Sequence, residues 1–388
     1  MDTATAREAS AAAAAARPRL RIAGVDPELG WGGGETQVLG LTLALNAMGH
    51  SAELVCDRAG ALWERASHAG VVCHQLRIRN AVDVRAGLRL RAILRREHFD
   101  LVHYHTSRAH SLAPFGRALA RAQVVTRRMD YRPNRLFAPY LFGRAVDGVA
   151  AISSGVADAL VAGGVARGRV TIIPSGVDLD RYRPPTDAQC AAARASFDIP
   201  AGAIALGTVG ALETRKGHRV LLEALAILAR ESPSRRIVGL IAGDGPCREQ
   251  LRARMAELGL SGVVRFLGRV ADSLGLLHAL DLFVFPSLKE GLGVALLESQ
   301  ACGLPAVGSD TGGIRDAVEH ERTGLLVAPG DSTALAEAIR RLLDQPELRA
   351  RMAAAARVRA EREFAMSIMA ARTLELYQRV LVSAAAGS

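Results

Sequence analysis

The stretch Phe283–Asp316, FVFPSLKEGLGVALLESQACGLPAVGSDTGGIRD, constrains this chain more than any other part. Phe283-Val284-Phe285 is a short apolar run that reads as a buried strand, and Pro286 breaks it. Glu290-Gly291-Leu292-Gly293 then reads as a loop. From about Val294 the apolar spacing of Leu296, Leu297 and Ala301 is helical, until Gly303 and Pro305 end it. A strand, a glycine-bearing loop and a helix start therefore follow one another. Such a start presents unpaired N–H groups and the positive end of the helix dipole to an anion, and glycine lets a phosphate approach the backbone. Gly291, Gly293 and Val294 are the candidates to hold it. Glu290 precedes the helix and Glu298 lies about one turn inside it, so a phosphate on these amides would have a carboxylate on either flank. Carboxylates accept hydrogen bonds from vicinal hydroxyls, which suits a sugar on one side and a ribose on the other.

The same strand–loop–helix grammar recurs along the chain. Leu20–Val25 reads as a first strand, Gly30-Trp31-Gly32-Gly33-Gly34-Glu35 as a glycine loop, and Val38, Leu39, Leu41, Thr42, Leu45 and Met48 as a helix ending at Gly49. Gly33 and Gly34 are candidates for close approach to a diphosphate. Further apolar runs at Ala52–Cys56, Val71–Leu76, Leu101–Tyr104, Val124–Thr126 and Gly148–Ile152 alternate with helical stretches, one of them from about Asp83 to Glu97. Alternation of this kind predicts parallel sheets wrapped by helices, an α/β fold of Rossmann type, with ligands beyond the carboxyl ends of the strands. His103 and His105 fall on one side of the strand that ends near Tyr104, and His105 is a site candidate. A second α/β unit starts near Ile204, with a strand at Ala205–Val209, a loop at Gly210–Gly217 and a helix at His218–Arg230 whose Val220, Leu221, Leu225 and Leu228 face inward. The chain from Ser332 to Val382 reads as helical throughout.

At 388 residues the chain is long for one domain and comfortable for two. The five cysteines show no C-x-x-C pair and no ligand spacing with histidine, so they read as reduced thiols of a cytosolic protein. No run of about 18 apolar residues predicts a membrane span. Residues 1–17 lack the basic start and apolar core of a signal peptide and read as a disordered lead-in. The net charge of +10 favours anionic partners. Nucleic acid is disfavoured: aromatics are 4%, no nucleic-acid motif is present and the arginines are spread along the chain.

The E-x7-E pair Glu290 to Glu298, inside PSLKEGLGVALLE and followed by ACGLPAVGSDTGG, resembles the retaining glycosyltransferases of family 4, which have the GT-B architecture. The resemblance runs from about residue 20 to 382. It implies two Rossmann-like domains facing a cleft: an acceptor-side N-terminal domain at 18–185, joined by a C-terminal helix at 368–383 that returns to it, and a nucleotide-sugar domain at 186–367. It also implies that Glu290 faces the donor sugar and Glu298 holds the ribose. Lys216 in GALETRKGH matches a lysine that neutralises the diphosphate, and Val270 lies in the segment bordering the base. Two positions depart from the pattern. Arg128 stands where many relatives have a histidine near the donor sugar, and Ala211 stands where an arginine is common. Arg215, four residues further along the same loop, is the candidate to supply that charge. Asp178-x-Asp180 invites a metal reading, but IPSGVDLDRY resembles the interdomain stretch of this metal-independent family, so no metal and no cofactor are expected.

The implied activity is retaining transfer of a sugar from a nucleotide-diphosphate sugar to a glycan or lipid-linked acceptor, of the bacterial envelope or lipopolysaccharide type. Uridine and guanosine both stay open as the donor base. A catalytically silent scaffold and a sugar-nucleotide epimerase are the rival readings. A nicotinamide enzyme is disfavoured because neither Gly32-Gly33-Gly34 nor Gly243-Asp244-Gly245 completes a G-x-G-x-x-G. Arg85, Arg89, Arg91, Arg95 and Arg96, together with the arginines and aromatics of Tyr131–Phe142, suggest peripheral contact with an anionic membrane at the inner face of the cell. The bland reading of that helix packs Leu88, Ile93 and Leu94 on the sheet and leaves the arginines in solvent.

Overall fold

The structure is a computed structural model that describes residues 19–270 and 272–386. The expected disordered lead-in lies outside the described residues. The first sheet has seven strands: β1 (Arg21–Asp26), β2 (Ser51–Cys56), β3 (Cys73–Gln75), β4 (Leu101–Tyr104), β5 (Ala122–Arg127), β6 (Gly148–Ala151) and β7 (Val170–Ile172), in the order β3-β2-β1-β4-β5-β6-β7. The second has six: β8 (Ile204–Val209), β9 (Ile237–Ala242), β10 (Val264–Gly268), β11 (Leu282–Phe285), β12 (Ala306–Ser309) and β13 (Gly324–Val327), in the order β10-β9-β8-β11-β12-β13. β1 pairs in parallel with β2 and β4, and β8 in parallel with β9 and β11. The α/β expectation of two Rossmann-like sheets holds. Central strands such as β9 and β11 are buried at every residue, as parallel strands covered by helices on both faces must be. That is why they read as unbroken apolar runs.

The strand order reverses once in each sheet, between β1 and β4 and between β8 and β11. Neighbouring strands there send their following loops to opposite faces and leave a crevice at the carboxyl ends of the strands, the usual ligand position in such sheets. The loops after β8 and β11 carry Lys216 and Glu290; after β1, Gly33 opens the next helix, and His105 directly follows β4.

The helices used below are α1 (Gly33–Ala47), α2 (Val84–Glu97), α3 (His218–Glu231), α4 (Val294–Ala301), α5 (Ser332–Asp344), α6 (Pro346–Glu363) and α7 (Met366–Ala386). α2 starts where the Asp83 side chain accepts the N–H of Ala86, satisfying one of the unpaired donors of the first turn. It buries Ala86, Gly87, Leu90, Ile93 and Leu94. Leu88 does not join them: it is 57% exposed, because the buried stripe passes through Leu90, and the expectation that Leu88 packs on the sheet is corrected. The helical tail is also divided. Gln345 and Phe364 interrupt it, and Pro346 opens α6, where its missing N–H costs nothing.

Chain contacts divide the molecule into two compact units. One takes the chain up to Thr126, Tyr140–Gly148 and the chain from Leu374; the other takes Arg127–Pro139 and Val149–Thr373. In the first, Tyr377 of α7 is fully buried and its hydroxyl lies 2.6 Å from His103 Nδ1, while His103 Nε2 lies 2.7 Å from Thr126 Oγ1. The final helix is thus anchored to β4, and Gly148 lets Val380 and Leu376 pack against the strand backbone. In the second, Leu221, Leu225 and Leu228 of α3 join Leu335, Ile339 and Leu342 of α5 in one core. Val220, expected to face inward with them, only borders that core.

Candidate functional site

In the second unit the loop after β11 leads into α4 through Gly293, whose φ of +92° is left-handed. A side chain there would be doubly disfavoured, since its Cβ would also lie 2.7 Å from the Phe285 ring. Gly293 turns the chain so that the amides opening α4 stand at the carboxyl end of β11 without a side-chain cap. Glu290 is buried just before this point, at 8% exposure. Lys216 Nζ donates to its Oε2 at 2.5 Å, the Ser287 hydroxyl donates to the same oxygen at 3.2 Å, and Arg215 Nη1 lies 3.9 Å away. Lys216 and Glu290 therefore hold each other, rather than standing apart as one charge for a diphosphate and one for a sugar. Burial makes the pair strong, since neither charge can be left alone in a poorly solvated place. The Lys216 ammonium also lies 5.1 Å from the centre of the Phe285 ring, on a face that attracts cations.

Glycines lace the surrounding loops together. Gly217 has φ +67°, and a Cβ on it would sit 1.9 Å from the Pro286 carbonyl oxygen. The loop bearing Lys216 is thereby pressed on the loop bearing Glu290, and the Leu288 N–H donates to Arg215 O at 2.7 Å. Added Cβ atoms on Gly312 and Gly313 would fall 2.2 Å from Glu290 O and 1.9 Å from Gly291 O, and the Gly313 N–H donates to Glu290 O at 3.1 Å. The GG turn after β12 thus braces the glutamate loop from behind. Gly291 is pressed in turn on the main chain of Arg128, where a Cβ would lie 2.1 Å from the carbonyl oxygen. Arg128 therefore meets the site through its backbone, and the Arg215 guanidinium is engaged by Glu213 at 2.7 Å.

Glu298 is held differently. Its Oε2 accepts from Ser273 Oγ at 3.2 Å, and Ser273 Oγ lies 3.2 Å from the Tyr182 hydroxyl. Among the described residues no basic group lies within ion-pair distance of it, and burial around the carboxyl raises its pKa to about 7. His218, at the start of α3, is pushed the other way, down to about 4, by burial and then by Lys216. It is neutral at pH 7.

Gly33 and Gly34 open α1, so their amides belong to a helix start rather than to a free loop, and Gly32 precedes them in extended conformation without a side-chain cap. His105 lies one residue past β4; its N–H donates to Val25 O at 3.0 Å and its ring lies 4.0 Å from that of His103. These residues belong to the first unit. Val270 follows β10 in the second unit and is partly buried. Asp178 Oδ1 accepts the N–H groups of Asp180 and Arg181, both at 3.1 Å, which is turn chemistry. Among the described residues, Glu53, His74 and Glu97 bring ligand-type atoms within 4.8 Å of one another. Arg21 already supplies positive charge there, at 2.7 Å from Glu53 and 3.5 Å from Glu97, so this group is a satisfied ion cluster. Among the described residues no helix is long and apolar enough to cross a membrane.

Residues 191–359 match the family model "Glycosyl transferases group 1", and residues 31–181 match "Glycosyltransferase Family 4". Two glycosyltransferase models thus match consecutive parts of the chain, and its fold is that of the GT-B glycosyltransferases. A D-inositol 3-phosphate glycosyltransferase of Saccharomonospora viridis is 38% identical over 223 residues, covering 55% of this chain and 51% of that protein. Its counterpart in Thermobispora bispora is 40% identical over 225 residues, covering 55% and 51%. The matches thus span about half the length of these relatives, and their names carry no envelope or lipopolysaccharide role. In structure the chain is similar to a glycosyltransferase from Rickettsia africae (TM-score 0.84, 21% identity, 94% of this chain and 99% of that one). Anabaena HepE in complex with UDP and glucose is also similar (TM-score 0.80, 23% identity, 92% and 99%). These two likenesses concern the fold.

Several contributors were missed by sequence reasoning: Ser287, Ser273, Tyr182 and the bracing role of Gly312 and Gly313. The glycine pair had a signal in the GGxxD turn. Ser273 and Tyr182 had none, since a lone hydroxyl in a loop reads as solvent-facing.

Proposed function

We propose that this chain transfers a sugar from a nucleotide-diphosphate sugar to a hydroxyl acceptor, with retention at the anomeric carbon and without a metal ion. The observation that carries the reading is the Lys216–Glu290 ion pair, held between the loops that follow β8 and β11 where the sheet order reverses. On donor binding, the diphosphate takes the amides at the start of α4 and draws on the charge of Lys216 and Arg215. Glu290 is then available to the sugar hydroxyls, and Glu298 to the ribose. Preorganised charge of this kind stabilises the departing diphosphate as the glycosidic bond breaks. A leaving phosphate oxygen on the same face takes the acceptor proton, which gives retention. The gathering of Lys216, Arg215 and Glu290 in one braced loop cluster disfavours a silent scaffold, despite Ala211 and Arg128.

The acceptor we favour is a phosphorylated polyol of the inositol phosphate kind, on the names of the curated relatives. A membrane-borne glycan at the inner face of the cell membrane is the second reading. It is favoured by Leu136 and Phe137, which are 84% and 62% exposed beside Arg132 and Arg135. The test is incubation with labelled UDP- and GDP-sugars, with inositol phosphates or a lipid-linked glycan offered as acceptor, in EDTA, with the product anomer read by NMR. Expected are nucleotide diphosphate release with an inositol phosphate and retained configuration. Inverted product, or activity that EDTA abolishes and magnesium restores, contradicts the mechanism.

A further inference from the structure

Tyr182 belongs to the segment after β7 that reads from sequence as a domain connection, yet its side chain is linked through Ser273 to the carboxylate at the heart of α4. Its hydroxyl lies 3.2 Å from Ser273 Oγ, which in turn lies 3.2 Å from Glu298 Oε2. The segment is fixed from outside: Arg357 of α6 donates through Nη1 to Tyr182 O at 2.9 Å and to Ala301 O, in the last turn of α4, at 2.7 Å. One guanidinium thus ties the backbone carrying Tyr182 to the helix carrying Glu298. Arg181, next in the chain, is 2.9 Å from Asp272, the neighbour of Ser273. Both partners are half exposed, which makes this a weak tie.

We infer that Tyr182 and Ser273 are positioning residues for Glu298: a hydroxyl relay, Tyr182 to Ser273 to the carboxylate, that fixes the carboxylate so that its remaining lone pairs face the vicinal hydroxyls of a nucleoside ribose. This rests on the donor-site reading above. The chemistry is a matter of valence. A carboxylate has about four acceptor positions, and one fixed donor, itself held by Tyr182, leaves the rest aimed in a set direction for a diol. The charged groups around Glu298 are Arg181, Asp272 and the Cys302 thiol, with Arg357 beyond Cys302. None of them makes an ion pair with it, so the hydroxyls carry its orientation. The ionised form is the better acceptor, so nucleotide affinity rises with pH through the neutral range. Removing the Tyr182 hydroxyl frees Ser273 from the bond that holds it towards the carboxylate, and moves that rise to higher pH.

The test is calorimetric binding of UDP, GDP and their 2′-deoxy analogues to the wild-type chain, Tyr182→Phe, Ser273→Ala and Glu298→Ala, from about pH 6 to about pH 8.5, a window around the raised carboxyl. Expected is a loss of ribonucleotide affinity of up to about tenfold in Tyr182→Phe near neutral pH, the scale of one hydrogen bond. The midpoint of its pH profile should move upward. The 2′-deoxy analogue, which offers no diol, should bind the wild type and Tyr182→Phe alike, and Tyr182→Phe should cost nothing further in a Glu298→Ala background. Equal losses for both nucleotides mean that Tyr182 only supports the fold, and no loss means that it does not position Glu298; either overturns the inference while leaving the donor site standing. If the wild type binds none of the nucleotides, the donor-site reading fails and takes this inference with it.

Discussion

Lys216 and Glu290, 74 residues apart in sequence, meet at 2.5 Å with only 13% and 10% of their side-chain surface exposed. The catalytic candidates of two different loops are therefore one electrostatic unit. Removing one partner of a pair this buried leaves the other charge without compensation, at about 3–5 kcal/mol. Urea unfolding should show losses of that order for Lys216→Met alone and for Glu290→Gln a smaller one, with the double variant more stable than the sum of the two implies. Strict additivity would mean that the two side chains do not depend on each other.

Gly217 is a sharper test of how the loops are pressed together. Any Cβ there meets the Pro286 carbonyl at 1.9 Å on a backbone of φ +67°, so Gly217→Ala must push the two loops apart as well as strain the chain. Transfer activity should fall at least about tenfold with near-native circular dichroism, because small displacements of aligned groups are costly to rate. Gly202 also has positive φ, at +73°, but nothing lies within 4 Å of its added Cβ. Gly202→Ala is the matched control and should cost only about 1 kcal/mol of stability, with activity retained.

Glu298 links the site to the pH dependence of stability. Its folded pKa, about 7, lies above the ordinary 4.5, so between these values the folded state holds more protons than the unfolded one. Stability is then present in full below about pH 4.5 and falls as pH rises towards 7. Glu298→Gln removes this liability and should stabilise the nucleotide-free protein at pH 8 by on the order of 2–3 kcal/mol. Thermal melts of both proteins at pH 5 and pH 8, on either side of the titration, check the sign: the gap should open only at the higher pH.

Much of this architecture was legible because buried parallel strands are continuous apolar runs. β1, β4, β8 and β11 were placed to within two residues, and Glu290, Glu298 and Lys216 stood out by their place after strands. What was not legible depends on partners distant in sequence. Lys216 was read as a charge waiting for phosphate, and nothing local tells that Glu290 already engages it. Tyr182 looked like part of a connection because Arg357, 175 residues on, is what fixes its backbone. Leu88 failed for a simpler reason: two leucines two residues apart on a helix cannot both face the sheet, and Leu90 is the one that does.

The central claim is that Glu290 acts on the donor sugar and not on the nucleotide. Turnover and UDP affinity measured side by side in Glu290→Ala test it most directly. The expected result is a fall in transfer of about a hundredfold or more, the scale of one lost transition-state contact, with UDP affinity within about threefold of wild type. Unchanged turnover, or loss of UDP binding in proportion to the loss of rate, would contradict it.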